Sequence, residues 1–249
     1  MNSVQNRRIV LKAAAGLAVA AAAGRGSDQQ ETPTKIAAMN TPALDEIPLP
    51  TPTGRARQAL QKLIAGNARF TKGKAIHPNQ SLRRVEAVAG QQTPYAVVLT
   101  CADSRVSPEL LFDAGIGDLF VLRVAGNIVD ETLLGSVEYA VEHLGTPLVV
   151  VLGHENCGAV KAAIESSETG TLPTNNVKSI IELLLPVVEA VEAEGPIDAA
   201  QLVDAVVTAN ARHTASQILQ RTELQKEYKG LGMVAARYDL DTATVTLLN

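Results

Sequence analysis

Two short stretches hold the residues best suited to chemistry: Cys101-Ala102-Asp103-Ser104-Arg105 and His154-Glu155-Asn156-Cys157-Gly158. Thiolates, an imidazole and a carboxylate are the donors that zinc selects in a tetrahedral site. Two thiolates and a neutral imidazole, from Cys101, Cys157 and His154, would balance the charge of Zn²⁺. The fourth position then decides the chemistry. Water there becomes acidic, with a pKa falling toward ~7; Asp103 there closes the site. Asp103 and Arg105 are near enough in sequence to pair across a tight turn. As an exposed salt bridge alone, that pair would contribute only ~0–1 kcal/mol. Cys101 and Cys157 are also the only two cysteines of the chain. In an exported protein the default for two cysteines is a disulfide. A disulfide, however, has no use for Asp103, Arg105 and His154 beside it. His77 and His213 read as loop and helix-packing residues.

Each stretch ends an apolar run that reads as a buried strand, Tyr95–Thr100 before the first and Pro147–Leu152 before the second. Each is followed by a helical pattern. Strand, polar turn and helix together spell an α/β fold, in which ligands sit outside the carboxyl ends of the strands. If the two strands are neighbours, Cys101, Asp103, His154 and Cys157 share one rim. Cys157, placed where a helix begins, has its thiol pKa lowered by the positive helix end. A further strand is expected at Leu119–Val124. Helices are expected at Thr53–Gly73 with Thr53 as N-cap, at Leu82–Ala89, after Ser107-Pro108-Glu109, after a capping Asp130, and at Val177–Glu194 and Ala199–Arg221. Met233–Leu248 reads as a hairpin turning near Asp239-Leu240-Asp241. Gly115-Ile116-Gly117 lacks the strand and third glycine of a dinucleotide loop.

The rest of the chain sets limits. It is 249 residues long, 46% hydrophobic and 19% charged, with no tryptophan and a net charge of -4. Nucleic acid needs clustered Lys and Arg, which are absent, so it is not expected as a partner. Residues 1–24 read as an export signal. Arg7-Arg8, three apolar residues and Lys12 precede the apolar run Ala13–Ala23, a twin-arginine-like pattern that places the protein in the periplasm. That run is too short to span a bilayer comfortably, so membrane contact is expected only through the signal. Residues 25–53, rich in Pro and Thr, read as a disordered linker or an extended, polyproline-like one. The folded domain is expected at 54–249.

C-x-D-S-R followed by H-x-x-C between matching strands, with Arg123-Val124-Ala125-Gly126-Asn127 and Gly153-His154, resembles the β class of carbonic anhydrases. The likeness runs from about Ala56 to Leu248. It implies a central, mostly parallel β-sheet flanked by helices, with an N-terminal helical arm packed on a second subunit and a dimer or higher oligomer. It also implies one zinc per subunit on Cys101, His154 and Cys157, and reversible hydration of CO₂ to bicarbonate by attack of zinc-bound hydroxide. In that picture Arg105 holds Asp103 away from the metal, and Asp103 orients the hydroxide; Asp103 is a ligand only in a closed state. By the same resemblance Gln92 donates to a substrate oxygen, Phe120 and Tyr139 line the pocket, and Gly158 lies beside the zinc. Part of the pocket comes from the neighbouring subunit. From the residues alone these four are an ordinary loop glutamine, two core aromatics and a turn glycine. His143, one helical turn after Tyr139, is a candidate proton relay. Some relatives have an inhibitory bicarbonate pocket with a tryptophan three residues before the first cysteine; here that residue is Val98, so the open form is expected. Two other readings keep the site: hydrolysis of carbonyl sulfide or carbon disulfide, and a non-catalytic zinc-stabilised module.

Overall fold

In the computed structural model the described residues are Leu44 and 46–248. The export signal read at 1–24, and all of the 25–53 linker before Leu44, lie outside them.

Valine-rich runs with few polar residues are suited to strands buried on both faces. Two such runs form the middle of a five-stranded sheet. Strands β1 (Ala96–Thr100), β2 (Leu119–Arg123), β3 (Leu148–His154), β4 (Gly232–Tyr238) and β5 (Val245–Leu248) are ordered β2-β1-β3-β4-β5. The first four are parallel, and β5 closes the far edge antiparallel to β4. β1 and β3 are buried along their whole length and pair with each other, Leu99 opposite Val151 and Thr100 opposite Leu152.

Alternate residues of these strands serve opposite helix layers, as the pleat requires. Ala96, Val98, Leu148, Val150 and Leu152 pack with Ala56, Ala59 and Leu63 of helix α1 (Gly54–Thr71). Val97, Leu99, Val149 and Val151 pack with α4 (Glu131–Glu142) and α7 (Ala199–Arg221). Between these come α2 (Leu82–Val88), α3 (Pro108–Leu111), α5 (Gly158–Thr169) and α6 (Val177–Ala193); a short α8 (Leu224–Glu227), which no sequence pattern had marked, follows α7. Asp130 caps α4 as expected, its carboxylate accepting the Leu133 N–H at 2.8 Å. No helix among the described residues is long and apolar enough to cross a membrane.

The disorder expected for 25–53 does not reach the end of that stretch. Residues 46–53 form neither helix nor strand but are fastened to the domain. The Ile47 N–H donates to Ser216 Oγ at 2.9 Å, and the Met233 N–H donates to the Pro50 carbonyl at 3.0 Å. Ile47 and Leu49 are packed on the core. The chain crosses so closely over Gly232 that a Cβ there would lie 2.8 Å from Ala56 and 2.9 Å from Pro52. Prolines keep this stretch out of regular structure, while its interspersed apolar residues Ile47 and Leu49 find a core to join.

Candidate metal centre

β1 and β3 are adjacent and parallel, so the turns after them open at the same rim. β1 delivers Cys101 directly. β3 continues two residues beyond its apolar run, so His154 is itself the last strand residue, level with Tyr238 on β4. Asn156 then turns through a left-handed conformation, φ 54°, and Cys157 caps α5.

The ligand-capable atoms of Cys101, His154 and Cys157 all lie within 4.8 Å of one another, and all three residues are buried. The two sulfurs are 4.0 Å apart and both cysteines are free. A disulfide requires ~2.05 Å, so this arrangement is not one. His154 Nδ1 lies 2.8 Å from the Glu155 carbonyl oxygen. A carbonyl only accepts, so Nδ1 carries the proton and Nε2 presents a lone pair. Nε2 is fully buried and has no hydrogen-bond partner among the described residues. Burying such an acceptor unpaired costs ~1–3 kcal/mol, and a cation that joins it to two sulfurs removes that cost. The residues present therefore fit zinc, the ion that thiolate and imidazole donors favour.

The surroundings favour thiolate at Cys101 but, contrary to the lowering expected from its place at a helix start, not at Cys157. The Cys101 thiol is lowered to about 4, first by the hydrogen bond from Cys157, against the opposing effect of burial, and then by the Gly126 N–H, which reaches its sulfur at 3.3 Å. The Cys157 thiol is raised, because it keeps the shared proton for Cys101 and is buried; the amides of Ala159 and Val160 at the start of α5 pull the other way.

Asp103 sits at the edge of this cluster and is not one of its three members. Its Oδ2 is 3.9 Å from His154 Nε2. Both of its oxygens are engaged by Arg105: Nη2 to Oδ2 at 2.7 Å, Nε to Oδ1 at 2.9 Å, and the Arg105 amide to Oδ1 at 2.9 Å. The guanidinium holds the Asp103 carboxyl well below the usual carboxylate range.

Two supports were not recognised from the sequence. Arg123, at the end of β2, donates to the carbonyls of Cys101 at 3.1 Å and Asp103 at 2.7 Å, fixing the turn that carries both. Gly126 adopts φ +75°, and its carbonyl accepts from the buried Asn210 amide at 2.8 Å. The Arg123–Asn127 motif was visible, but only the fold shows that it braces Cys101.

Gly158 stands beside Cys157 at the first turn of α5, facing open space. The remaining expected residues do not join the cluster within one chain. Gln92 precedes β1 and Cys101 follows it, so the strand separates them. Phe120 is level with Val97, near the start of β1. It stacks at 6.3 Å on Tyr139, which in turn stacks at 5.3 Å on His143. Gln92, Tyr139 and His143 line a surface cavity of about 560 Å³ with Val88, Ala89 and Gly90. They form a second group, at the opposite end of the sheet.

Residues 96–245 match a protein-family model described as carbonic anhydrase. Carbonic anhydrase 2 of Mycobacterium tuberculosis is 40% identical over 192 residues, 76% of this chain and 91% of that protein. A carbonic anhydrase of Mycolicibacterium smegmatis is 47% identical over 135 residues, 54% of this chain and 66% of its own. Among solved structures, one of two tetrameric β-carbonic anhydrases from Sordaria macrospora superposes with a TM-score of 0.58 at 23% identity. That match covers 77% of this chain and 98% of that one, and at such identity it speaks for the fold.

Proposed function

Because this chain belongs to the β-carbonic anhydrase family and is a carbonic anhydrase, we propose that Cys101, His154 and Cys157 hold one zinc ion per subunit at the site of CO₂ hydration. The non-catalytic module weighed from the residues alone gives way to an enzyme. Zinc bound there supplies a Lewis acid that makes water acidic enough to serve as nucleophile near neutral pH.

The chain's own residues do the rest. Arg105 occupies both oxygens of Asp103 and so restrains the carboxylate from joining the cluster. Kept ionised by that contact, Asp103 only accepts hydrogen bonds. It takes one from the nucleophile and turns the attacking lone pair toward the carbon of CO₂. The uncrowded backbone at Gly158 leaves room for the substrate. The Arg105 guanidinium, which also approaches the Asn156 carbonyl at 3.4 Å, ties the Asp103 turn to the His154–Cys157 turn.

We place Gln92, Phe120, Tyr139 and His143 of one subunit against the metal centre of another. Their grouping at the far end of the sheet supports this, as does α2 beside them, which has no buried residue. Leu82 of α2 is 83% exposed and Val85 44%. Gln92 then steadies a substrate oxygen, and His143 passes the proton to buffer. Export to the periplasm rests on Arg7-Arg8 and the apolar run after them; fractionating cells that express the full chain and an Arg7→Lys, Arg8→Lys variant tests it.

The observation that carries the reading is the buried, unpartnered His154 Nε2 facing two sulfurs. Zinc content measured together with CO₂ hydration tests it. One zinc per subunit and its loss with activity in His154→Ala are expected; an active, zinc-free protein sinks the proposal.

A further inference from the structure

We propose that Glu155 and Arg237 are positioning residues for the His154 imidazole. The inference rests on reading Cys101, His154 and Cys157 as the metal site. Glu155 is bound at three places. Its carbonyl accepts from His154 Nδ1 at 2.8 Å, its amide donates to the Tyr238 carbonyl at 2.9 Å, and its carboxylate accepts the Leu240 N–H at 3.1 Å. The same carboxylate is 3.8 Å from Arg237 Nη2.

Arg237 is on β4, level with Gly153 and one residue before Tyr238, the partner of His154. Its guanidinium is four-fifths buried and gathers three acids: Asp204 of α7, paired through Nε; Glu155; and Asp239, 3.7 Å from Nη1. It thereby joins the turn after β3, the turn after β4 and helix α7.

The imidazole plane is set by where the Glu155 carbonyl stands, since Nδ1 has no other acceptor. The next residue, Asn156, is in the left-handed region at φ 54°, a conformation that persists only where surrounding contacts hold the turn. The side chain of Glu155 supplies the missing restraint through Leu240 and Arg237. Outer partners of metal-binding histidines act in this way, and removing one weakens metal binding roughly 10- to 100-fold.

The test uses the zinc-loaded enzyme. The zinc dissociation constant is measured by competition with a colorimetric chelator, beside CO₂ hydration at saturating zinc. Glu155→Ala is expected to raise the dissociation constant roughly 10- to 100-fold. Glu155→Gln keeps the acceptor for Leu240 but drops the charge, and is expected to raise it by a smaller, measurable factor. Asp204→Asn loosens Arg237 without touching Glu155 and is expected to raise it by a smaller factor than Glu155→Ala, whereas Asp113→Asn, at a buried acid paired with Arg69 outside the site, is expected to leave zinc affinity at the parental value. Parental zinc affinity in Glu155→Gln overturns the proposal, even if Glu155→Ala does not fold. Parental zinc affinity in Asp204→Asn removes Arg237 from the proposal, and equal weakening by Asp113→Asn and Glu155→Ala overturns it whole, by showing a general loss of stability. A parent enzyme without stoichiometric zinc defeats the reading of the cluster itself, a different result.

Discussion

Arg105 grips both carboxylate oxygens of Asp103, at 2.7 and 2.9 Å, while Oδ2 of that carboxylate stands 3.9 Å from His154 Nε2. The same acid is thus beside the Cys101–His154–Cys157 cluster and fully engaged by Arg105. Removing the carboxylate should therefore affect turnover rather than metal binding. Asp103→Ala is expected to lower kcat/KM for CO₂ hydration roughly 10- to 100-fold with zinc content unchanged. Stopped-flow hydration rates and metal analysis on one preparation check it; a zinc-loaded variant as active as the parent refutes the role.

The sulfurs of Cys101 and Cys157, 4.0 Å apart and unbridged, should be countable. Stripping the metal with a chelator and unfolding the protein without reductant is expected to expose two reactive thiols per chain in a thiol-reagent assay. Activity should vanish with the metal and return with Zn²⁺. Zero thiols would mean a disulfide and no metal site.

Gly126 uses a left-handed backbone, φ +75°, to aim its N–H at Cys101, and a Cβ there would stand 3.0 Å from Leu184 Cδ1 and 3.2 Å from Ala159 Cβ. Gly126→Ala is expected to destabilise the fold by ~1–3 kcal/mol, through backbone strain and crowding together. Denaturant titration checks the stability, and zinc affinity should fall with it.

Asp113 supplies a pH dependence free of the metal centre. Its side chain is fully buried. Burial raises its pKa, yet the Ile76 amide, the Arg69 guanidinium at 2.6 Å and the His77 amide outweigh it, so the folded value lies below the unfolded one. A depressed carboxylate stabilises the fold above the unfolded pKa of ~3.9 and loses that contribution as pH falls through the folded value. Asp113→Asn is expected to cost ~1–3 kcal/mol at pH 7. The gap between variant and parent should shrink only below pH ~4. A gap that stays constant down to pH 2 contradicts the assignment.

α2 buries none of its residues, and the Gln92–Tyr139–His143 cavity adjoins it. The double substitution Leu82→Glu, Val85→Glu is expected to shift the protein toward monomer in sedimentation analysis. Activity should fall with assembly while each chain keeps its zinc. Full activity in a monomer would show that one chain completes its own site.

The sequence by itself determined the chemistry on offer and the local elements. Valine-rich runs gave β1 and β3, Asp130 gave the start of α4, and the two polar turns gave Cys101, His154 and Cys157 as one set of metal donors with Asp103 and Arg105 beside them. These features are local: a buried strand or a capped helix is written in residues near one another. Tertiary structure decided what depends on distance. It paired β1 with β3 so that sulfur and imidazole meet, and it placed Arg123, Gly126 and Arg237 as braces from strands and turns remote in sequence. It moved Gln92, Phe120, Tyr139 and His143 to the other end of the sheet, because a parallel strand separates whatever precedes it from whatever follows. It also pressed residues 46–53 onto the domain, since Ile47 and Leu49 had a core to join that no reading of neighbouring residues reveals.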